Sequence, residues 1–298
     1  MKTITIGIPA YNEESSIAQI LRTLVNQKTN GFVVKQIIVA SDGSSDSTVS
    51  EAESVSSKNI MVIDGKERKG ATYRQNQIMS MANTDCLVLI NADIVIKDRL
   101  FLKKIITPIL DNKADLTSSI VEPLEPENVL QKILYASHIL KNDIYEAINE
   151  GNNLFTCHGA ARAFSKRLYT SFTFQDRPGE DAYSYLVTKQ NNFRYAYVSN
   201  AICYIQLPAS LHDHKKQSVR YLKSSVYMAE FFEENFLSKE YTLPLKIRIE
   251  KTLKHLIHKP LEVSLYIVIY YTMNLVSFFT KSKETGKWAI STSSKKIS

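Results

Sequence analysis

Val88-Leu89-Ile90-Asn91-Ala92-Asp93-Ile94-Val95-Ile96 is a stretch in which a polar triplet interrupts an otherwise unbroken apolar run. Such a run predicts a buried strand, and a carboxylate at the end of a buried strand requires a partner. In an extended backbone Asn91 and Asp93 would leave the same face, so that both oxygens could meet one ligand. An oxygen pair of this kind suits a hard divalent cation. The alternative is that Asp93 only caps a helix, which the sequence predicts over 97–110.

The segments before this stretch alternate between strands and helices. Strands are predicted at 3–8, 34–40, 60–63 and 86–90, and helices at 17–24, 46–56 and 71–82. This order predicts a parallel sheet with crossover helices, and such sheets bind ligands at the carboxyl ends of their strands. Polar, acidic loops stand there, at 9–14, 41–46 and 91–93. Together they predict a nucleotide and metal site on one rim of the sheet.

The pattern changes after a further predicted strand at 116–120. A helix is predicted over 130–144, and the run Gly159-Ala160-Ala161-Arg162-Ala163-Phe164 is rich in small residues, which let a backbone approach a ligand closely. Glu180 and Asp181 then open a predicted helix that continues to Lys189. Without further context, two acids at a helix N-terminus would only stabilise the helix dipole.

Length and cysteine content restrict the class of protein. A chain of 298 residues provides one large domain with an appendage more readily than two full domains. Cys86, Cys157 and Cys203 are odd in number and far apart, so they predict core thiols of a reducing compartment. The N-terminus enters an apolar strand without a charged leader, and the catalytic part is therefore expected in the cytoplasm.

The positive charge is concentrated in the last third of the chain. The formal net charge is +7, and residues 215–298 contain 15 Lys and Arg against 7 Glu. Because these cations lie beside strongly apolar segments, they predict contact with an anionic membrane surface and no nucleic acid partner.

An amphipathic helix and an apolar segment are predicted in this basic region. Over 245–259, one side is apolar, with Leu245, Ile249, Leu253, Leu256 and Ile257, and the other carries Arg248, Lys251, Lys254, His255, His258 and Lys259. This pattern is typical of a helix in a membrane interface. Residues 261–280 contain Glu262 as their only charge and reach the length of about 20 residues that can span a bilayer. A spanning helix, a buried helix and a re-entrant hairpin all fit this segment.

Six motifs in order resemble those of the inverting family 2 glycosyltransferases of the GT-A fold, over residues 3–221. They are Ile8-Pro9-Ala10-Tyr11-Asn12-Glu13-Glu14, Asp42-Gly43-Ser44-Ser45-Asp46-Ser47-Thr48, Lys69-Gly70-Ala71-Thr72-Tyr73-Arg74-Gln75-Asn76, Asn91-Ala92-Asp93, Glu180-Asp181 and Gln217-Ser218-Val219-Arg220-Tyr221. The resemblance implies an α/β GT-A domain at 1–221, with a mostly parallel sheet flanked by helices. A helical, membrane-associating region would follow at 222–298.

The resemblance also assigns roles. It implies Asp181 as the general base, Glu180 as its backup and Arg220 as an aid to the leaving phosphate. Asp93 would bind Mn2+ or Mg2+, with His212 or His214 as a second ligand. Asn91 stands where the family has a first Asp, and we expect this loss of one charge to weaken metal binding. The implied nucleotide and donor residues are Pro9, Tyr11, Glu13, Asp42, Lys69, Gly70, Arg74, Asn91, Ala92, Asp93 and Gln217.

These roles imply one expected function, and two alternative functions are considered. The expected enzyme moves a single sugar, with inversion, from a nucleotide-diphospho-sugar to a membrane-held or lipid-linked glycan at the cytoplasmic face of the membrane. UDP is the expected nucleotide, and GDP and dTDP stay open. A sugar-phosphate nucleotidyltransferase would need a Gly-rich, Arg-containing loop after the first strand, whereas residues 9–14 are acidic and lack Gly. A catalytically silent GT-A scaffold at the membrane is the second rival, because Asn91 departs from the family pattern.

Overall fold

A computed structural model describes residues 1–280, and one eight-stranded sheet runs through this part. The strands are β1 (Lys2–Ala10), β2 (Phe32–Asp42), β3 (Ile60–Gly65), β4 (Cys86–Ile90), β5 (Ile94–Val95), β6 (Leu116–Pro123), β7 (Ala161–Ser165) and β8 (Tyr195–Ile205). Their order in the sheet is β3-β2-β1-β4-β7-β6-β8-β5. Four neighbouring pairs are parallel and three are antiparallel. The mostly parallel sheet predicted from the sequence is confirmed.

Twelve helices accompany the sheet in the described part of the chain. They are α1 (Ile17–Val25), α2 (Thr48–Glu53), α3 (Ala71–Met81), α4 (Phe101–Leu110), α5 (Val129–Glu146), α6 (Lys166–Tyr169), α7 (Glu180–Gln190), α8 (Leu211–Leu222), α9 (Ser224–Met228), α10 (Glu234–Glu240), α11 (Leu245–His258) and α12 (Pro260–Phe279). The predicted helix at 46–56 is shorter than expected, because the Asp46 carboxylate accepts a hydrogen bond from the Thr48 amide and so lies before the helix.

Helices cover both faces of the sheet, which explains why its central strands are apolar throughout. Side chains of a strand alternate between the two faces. In β4, Val88 and Ile90 pack in the cluster that includes α1 and α4. Leu87 and Leu89 pack in the opposite cluster, with α3 and α7. The three cysteines are buried and free, as predicted.

The polar triplet after β4 does not continue the strand. Residues 91–93 form a turn that leads into β5, so the expectation that Asn91 and Asp93 leave the same face of an extended backbone is wrong. Asp93 does not cap the following helix either. Helix α4 begins only at Phe101, and Asp98 accepts a hydrogen bond from the Leu100 amide before it. The capping alternative for Asp93 is therefore excluded.

The predicted boundary between residues 221 and 222 falls at the end of α8. The two helices that follow it, α9 and α10, bury Tyr227, Met228 and Leu237 in the same apolar cluster as Tyr185 of α7. Aromatic and aliphatic packing therefore joins residues on either side of this predicted boundary. The end of the predicted C-terminal region, 281–298, lies outside the described residues.

Helices α11 and α12 pack against the domain through α5. Asp143 of α5 accepts hydrogen bonds from Lys251 at 2.8 Å and Lys254 at 3.2 Å, and it contacts His255 at 3.1 Å. Three of the six residues on the predicted basic side of α11 therefore contact a carboxylate of α5. Since α12 is one continuous helix, the re-entrant hairpin is excluded.

Candidate active site

Asp42, the last residue of β2, organises the loop between β3 and α3. Its side chain is buried, with 4% of the residue exposed. One carboxylate oxygen accepts hydrogen bonds from the Lys69 amide at 2.8 Å and from Nε of Arg74 at 2.9 Å. The other accepts from the Gly70 amide at 2.8 Å. Four of the predicted nucleotide residues thus form one hydrogen-bonded group.

The buried Arg74 fixes the shape of this loop. Its guanidinium also donates to the Glu67 carbonyl at 2.8 Å and to the Gln77 side chain at 2.9 Å. Gly65 must be glycine here, because an added Cβ would lie 2.4 Å from the Ser41 carbonyl oxygen and 2.1 Å from Nη2 of Arg74. Gly70 begins α3 with φ of 102°, a left-handed conformation that glycine adopts without strain.

The loop after β1 closes over the same corner of the sheet. Pro9 lies near the end of β1, and the Arg68 guanidinium covers the Tyr11 ring at 4.1 Å from its centroid. Glu13 is buried, and its amide donates to Thr48 of α2 at 2.7 Å. Its carboxylate accepts a hydrogen bond from Ser16, so Glu13 helps to begin α1. The structure therefore gives Glu13 a structural contact that the motif alone does not predict.

The turn with Asn91, Ala92 and Asp93 lies beside the segment that leads into β7. The Asn91 amide donates to the Ala160 carbonyl at 2.9 Å. Asn91 and Asp93 are half-buried, and Ala92 is buried. This backbone hydrogen bond places the turn beside Ala160. The neighbouring residue, Gly159, lies against the acidic pair of α7.

Glu180 and Asp181 open α7 directly against Gly159. A Cβ added to Gly159 would lie 3.0 Å from a Glu180 carboxylate oxygen and 3.8 Å from an Asp181 carboxylate oxygen. The lack of a side chain at Gly159 therefore allows the Glu180 carboxylate to lie close to its backbone. Glu180 is 5% exposed, and burial, followed by the charge of Asp181, raises the pKa of Glu180 above its ordinary value. A helix-dipole role alone does not explain a carboxyl group held inside the protein.

Two residues beside this pair have no assigned role in the sequence motifs. Arg162 of β7 is fully buried and donates to the Glu180 carbonyl at 2.8 Å. His158 lies beside Asp181; burial lowers the pKa of His158, although the Asp181 charge opposes that effect. The signal for Arg162 was present in the sequence, since a lone charge in a small, apolar strand requires a buried partner.

Helix α8 carries the remaining predicted residues. Gln217 and Arg220 are half-buried, and the Arg220 charge acts on the Glu180 carboxyl. His212 is exposed, whereas burial lowers the pKa of His214 to about 4. Within residues 1–280, no three His, Cys, Asp or Glu side chains gather as a metal-binding group, so Asp93, His212 and His214 are not assembled into one.

The arrangement provides two chemically different regions on one rim. One is the loop system around Asp42 and Arg74, which exposes backbone and aromatic groups suited to a base and ribose. The other is the carboxylate pair of α7, which suits proton transfer. The turn at 91–93 follows β4, which lies between β2 and β7 in the sheet order.

The fold is shared with solved glycosyltransferases. A mannosyltransferase from Pyrobaculum calidifontis, solved with GDP-Man and Mn2+, matches with a TM-score of 0.62 at 15% identity, over 92% of this chain and 84% of that one. Glucosyl-3-phosphoglycerate synthase from Mycobacterium tuberculosis, solved with Mn2+, UDP and phosphoglyceric acid, matches with a TM-score of 0.56 at 18% identity, over 76% of this chain and 78% of that one. These similarities confirm the GT-A fold.

Sequence comparison supports the same assignment. A 4,4'-diaponeurosporenoate glycosyltransferase from Staphylococcus aureus is 32% identical over 117 residues, which are 39% of this chain. The match spans 29% of that relative's length. The family model described as "Glycosyl transferase family 2" matches residues 5–172, more than half of the chain. The chain therefore belongs to glycosyl transferase family 2.

Proposed function

We propose that this glycosyltransferase moves a single sugar, with inversion, from a nucleotide-diphospho-sugar to a membrane-held or lipid-linked glycan. The observation that carries the proposal is the acidic pair of α7, which lies against the bare backbone of Gly159 and is joined through Ala160 to the turn with Asp93. A silent scaffold has no need for a buried carboxyl group whose pKa is raised beside a second acid.

The donor nucleotide would bind at the loops around Asp42. The Asp42 carboxylate accepts hydrogen bonds from the Lys69 and Gly70 amides, which fix its orientation. Its oxygens could still accept a further hydrogen bond from the nucleotide. The exposed aromatic ring of Tyr73 and the half-buried ring of Tyr11 offer surfaces for stacking. We propose UDP as the nucleotide, and the neighbours solved with GDP-Man and with UDP are consistent with either UDP or GDP.

The turn fits a hard divalent cation. Asp93 and Asn91 offer a carboxylate and an amide oxygen, and these are donors that Mg2+ and Mn2+ accept. Because no closed group of three side-chain ligands exists in residues 1–280, coordination positions would remain for diphosphate oxygens. A cation held by Asp93 would supply Lewis-acid neutralisation of the charge on the leaving diphosphate. The two neighbours solved with Mn2+ support this choice of ion.

The protein's own residues would carry the proton transfer and the alignment. An acceptor hydroxyl in front of Gly159 attacks the anomeric carbon from the side opposite the diphosphate. The bond from that carbon to the acceptor oxygen forms while its bond to the phosphate oxygen breaks. Asp181 takes the hydroxyl proton as general base, and Glu180 orients the acceptor. Arg220 provides positive charge near the leaving group, and the displacement inverts the anomeric configuration.

The direct test of this function is consumption of a donor. Purified protein, Mn2+ and vesicles carrying extracted membrane glycolipids would be incubated with UDP-, GDP- and dTDP-linked sugars. We expect release of one nucleoside diphosphate together with a glycosylated lipid. Lack of release from any donor, by protein that is folded, would favour the scaffold.

The Asn91→Asp variant is expected to bind Mn2+ more tightly than the natural chain, by about tenfold. The variant restores one negative charge beside Asp93, and charge count sets the affinity of such oxygen sites. Electron paramagnetic resonance of free Mn2+ would measure the change. Asn26→Asp adds the same charge at the end of α1 and serves as the control. Equal affinities of Asn91→Asp and the natural chain would contradict the expectation.

The membrane surface is the proposed partner of α11 and α12. Leu245, Ile249, Leu253 and Ile257 repeat at intervals of four residues on α11, and all four are exposed, Ile257 by 79%. On α12 the exposed apolar side includes Leu261, Leu265, Val268, Tyr271, Leu275, Phe278 and Phe279. Groups of exposed apolar side chains such as these mark interaction sites.

The opposite side of α12 is occupied by the protein, which favours a helix lying on the membrane. Val263 is fully buried beside Leu140 and Ile144 of α5. The Lys223 ammonium donates a hydrogen bond to the Thr280 carbonyl, just after the end of α12. Pro260–Phe279 is long and apolar enough to cross a bilayer, but a crossing helix would have to leave these contacts. We therefore propose peripheral attachment at the cytoplasmic face, with nearby lysines and arginines on anionic lipid headgroups.

The double variant Leu253→Glu/Ile257→Glu is expected to bind anionic vesicles about 100-fold more weakly. Each substitution removes about 1.5 kcal/mol or more of apolar burial in the lipid, and two together give this factor. Flotation with phosphatidylglycerol vesicles would measure it. Val25→Glu/Met61→Glu places the same charges at exposed apolar residues of the α/β domain and should bind normally. Protein that stays with the membrane after alkaline carbonate washing would instead indicate a spanning helix.

A further inference from the structure

A charged side chain lies in the interior beneath the acidic pair. Arg162 belongs to β7, pairs with Leu89 of β4, and is 0% exposed. Its Nη1 atom donates to the Glu180 carbonyl and to the Ser184 hydroxyl, both at 2.8 Å. Both acceptors belong to the first turns of α7. The guanidinium thus fixes the helix that presents the two acids.

The rest of the guanidinium lacks such partners. Within residues 1–280, neither Nε nor Nη2 of Arg162 has a hydrogen-bond partner. The guanidinium lies 5.7 Å from the Phe164 ring centroid and 5.6 Å from that of Phe174, which offer weak cation–π attraction. Burial of a charge that is incompletely paired is unfavourable. An aliphatic residue at this position of β7 would pack in the interior without the cost of burying a charge.

The unpartnered side of the guanidinium faces Glu180. Nη2 of Arg162 lies 3.9 Å from the nearest Glu180 carboxylate oxygen, so a small movement of the Glu180 side chain would close a direct ion pair. We propose that Arg162 is a positioning residue, which favours the ionised form of Glu180 and keeps the Glu180–Asp181 pair aligned for the acceptor. This inference rests on the proposed function, because only the transferase reaction gives the pair a role as base and orienting group.

The effect on the acidic pair has a definite sign. A positive charge favours the ionised form of a neighbouring carboxyl group, and a second carboxylate disfavours it. Burial and Asp181 raise the pKa of Glu180, whereas Arg162 and then Arg220 oppose the rise. Loss of Arg162 must therefore raise the pKa of Glu180 further. The groups that face the pair from other elements are Cys157 and His158 before β7, Arg220 and Tyr221 of α8, and Tyr241 after α10.

The first measurement follows the carboxyl group itself and needs no substrate. Protein labelled with carbon-13 at glutamate side-chain carboxyls would be titrated by NMR, with Glu180→Gln to assign the signal. In Arg162→Met we expect the Glu180 titration to move to higher pH by about one unit or more. Arg162→Lys keeps the charge and should titrate close to the natural chain. An unchanged titration in Arg162→Met would overturn the inference.

The second measurement is the dependence of kcat on pH. In Arg162→Met the acidic side of the profile should move to higher pH, so that activity near pH 6 falls by about tenfold more than activity near pH 8. Arg162→Lys should keep the profile but lower kcat, because the shorter lysine side chain does not place its nitrogen where Nη1 holds the Glu180 carbonyl and Ser184. Arg167→Met removes an arginine that pairs with Asp115 at 2.7 Å and serves as the control for a lost ion pair. A loss of activity that is equal at all pH values would contradict the proposal.

Thermal melting covers the case in which Arg162→Met folds poorly. If the arginine serves the acidic pair, Glu180→Gln in the same chain should restore part of the lost melting temperature, since it removes the carboxylate left without its cation. Lack of any restoration would overturn the inference. Failure of the natural chain to transfer sugar would count against the proposed function alone, because the NMR titration and the melting experiment do not depend on turnover.

Discussion

Asp181→Asn is expected to lower kcat by about 10²–10⁴-fold while donor affinity stays within about twofold of the natural chain. Asparagine has nearly the same shape as aspartate and keeps an oxygen that can accept the 2.8 Å hydrogen bond from the Ala182 amide. The start of α7 should therefore be preserved. What the variant loses is the ability to take the proton of the acceptor hydroxyl, which is the contribution of a general base.

Single-turnover transfer and calorimetric binding of the donor nucleotide would be measured on the same preparation. Asp176→Asn removes an exposed carboxylate a few residues earlier and should leave both quantities unchanged. Glu180→Gln should retain more activity than Asp181→Asn, because Glu180 orients the acceptor and does not accept its proton. Full transfer by Asp181→Asn would remove Asp181 from the role of base.

Asp93→Ala is expected to abolish the stimulation of transfer by Mn2+ and to lower the rate by about 10²-fold or more. Loss of the metal removes several kcal/mol of stabilisation from the leaving diphosphate. The turn at 91–93 leaves Asn91 as the nearby oxygen donor, and a neutral amide holds a divalent cation poorly without a carboxylate.

Free Mn2+, followed by electron paramagnetic resonance, would report loss of the site independently of activity. Asp64→Ala removes an exposed carboxylate of β3 that pairs with Lys66, and it controls for a general change in charge. If Asp93→Ala kept both the bound Mn2+ and its stimulation of transfer, the metal would have to bind elsewhere.

Local patterns predicted the central strands and their flanking helices because both depend on residues close in sequence. The boundaries of β4 were predicted to the residue, and the buried side of α1 includes the predicted Ile17, Ile20, Leu21 and Leu24 together with Ala18. The strands β5, β7 and β8 were not predicted, and their antiparallel pairing depends on segments far apart in the chain. The sequence also did not predict the turn at residues 91–93 or the short strand β5 that follows it, because the apolar residues continue on both sides of the polar triplet.

The strand order predicted which loops form the candidate site, but it did not predict the contacts between their side chains. Loops after parallel strands meet at one rim, so the association of Asp42 with Lys69, Gly70 and Arg74 was predictable. The sequence did not show that Asp42 holds these residues together, nor that Arg162 lies beneath Glu180, because both depend on how strands and helices pack. The inward side of α11 was missed for the same reason, since its partner Asp143 lies on α5, over a hundred residues earlier.

Calorimetric titration of the purified protein with UDP, GDP and dTDP, with and without Mn2+, tests the central claim most directly. The account predicts that one nucleotide binds, that Mn2+ strengthens its binding, and that Asp93→Ala loses the Mn2+ effect. Failure of all three nucleotides to bind folded protein in the presence of Mn2+ would contradict a nucleotide-sugar transferase and favour a silent scaffold.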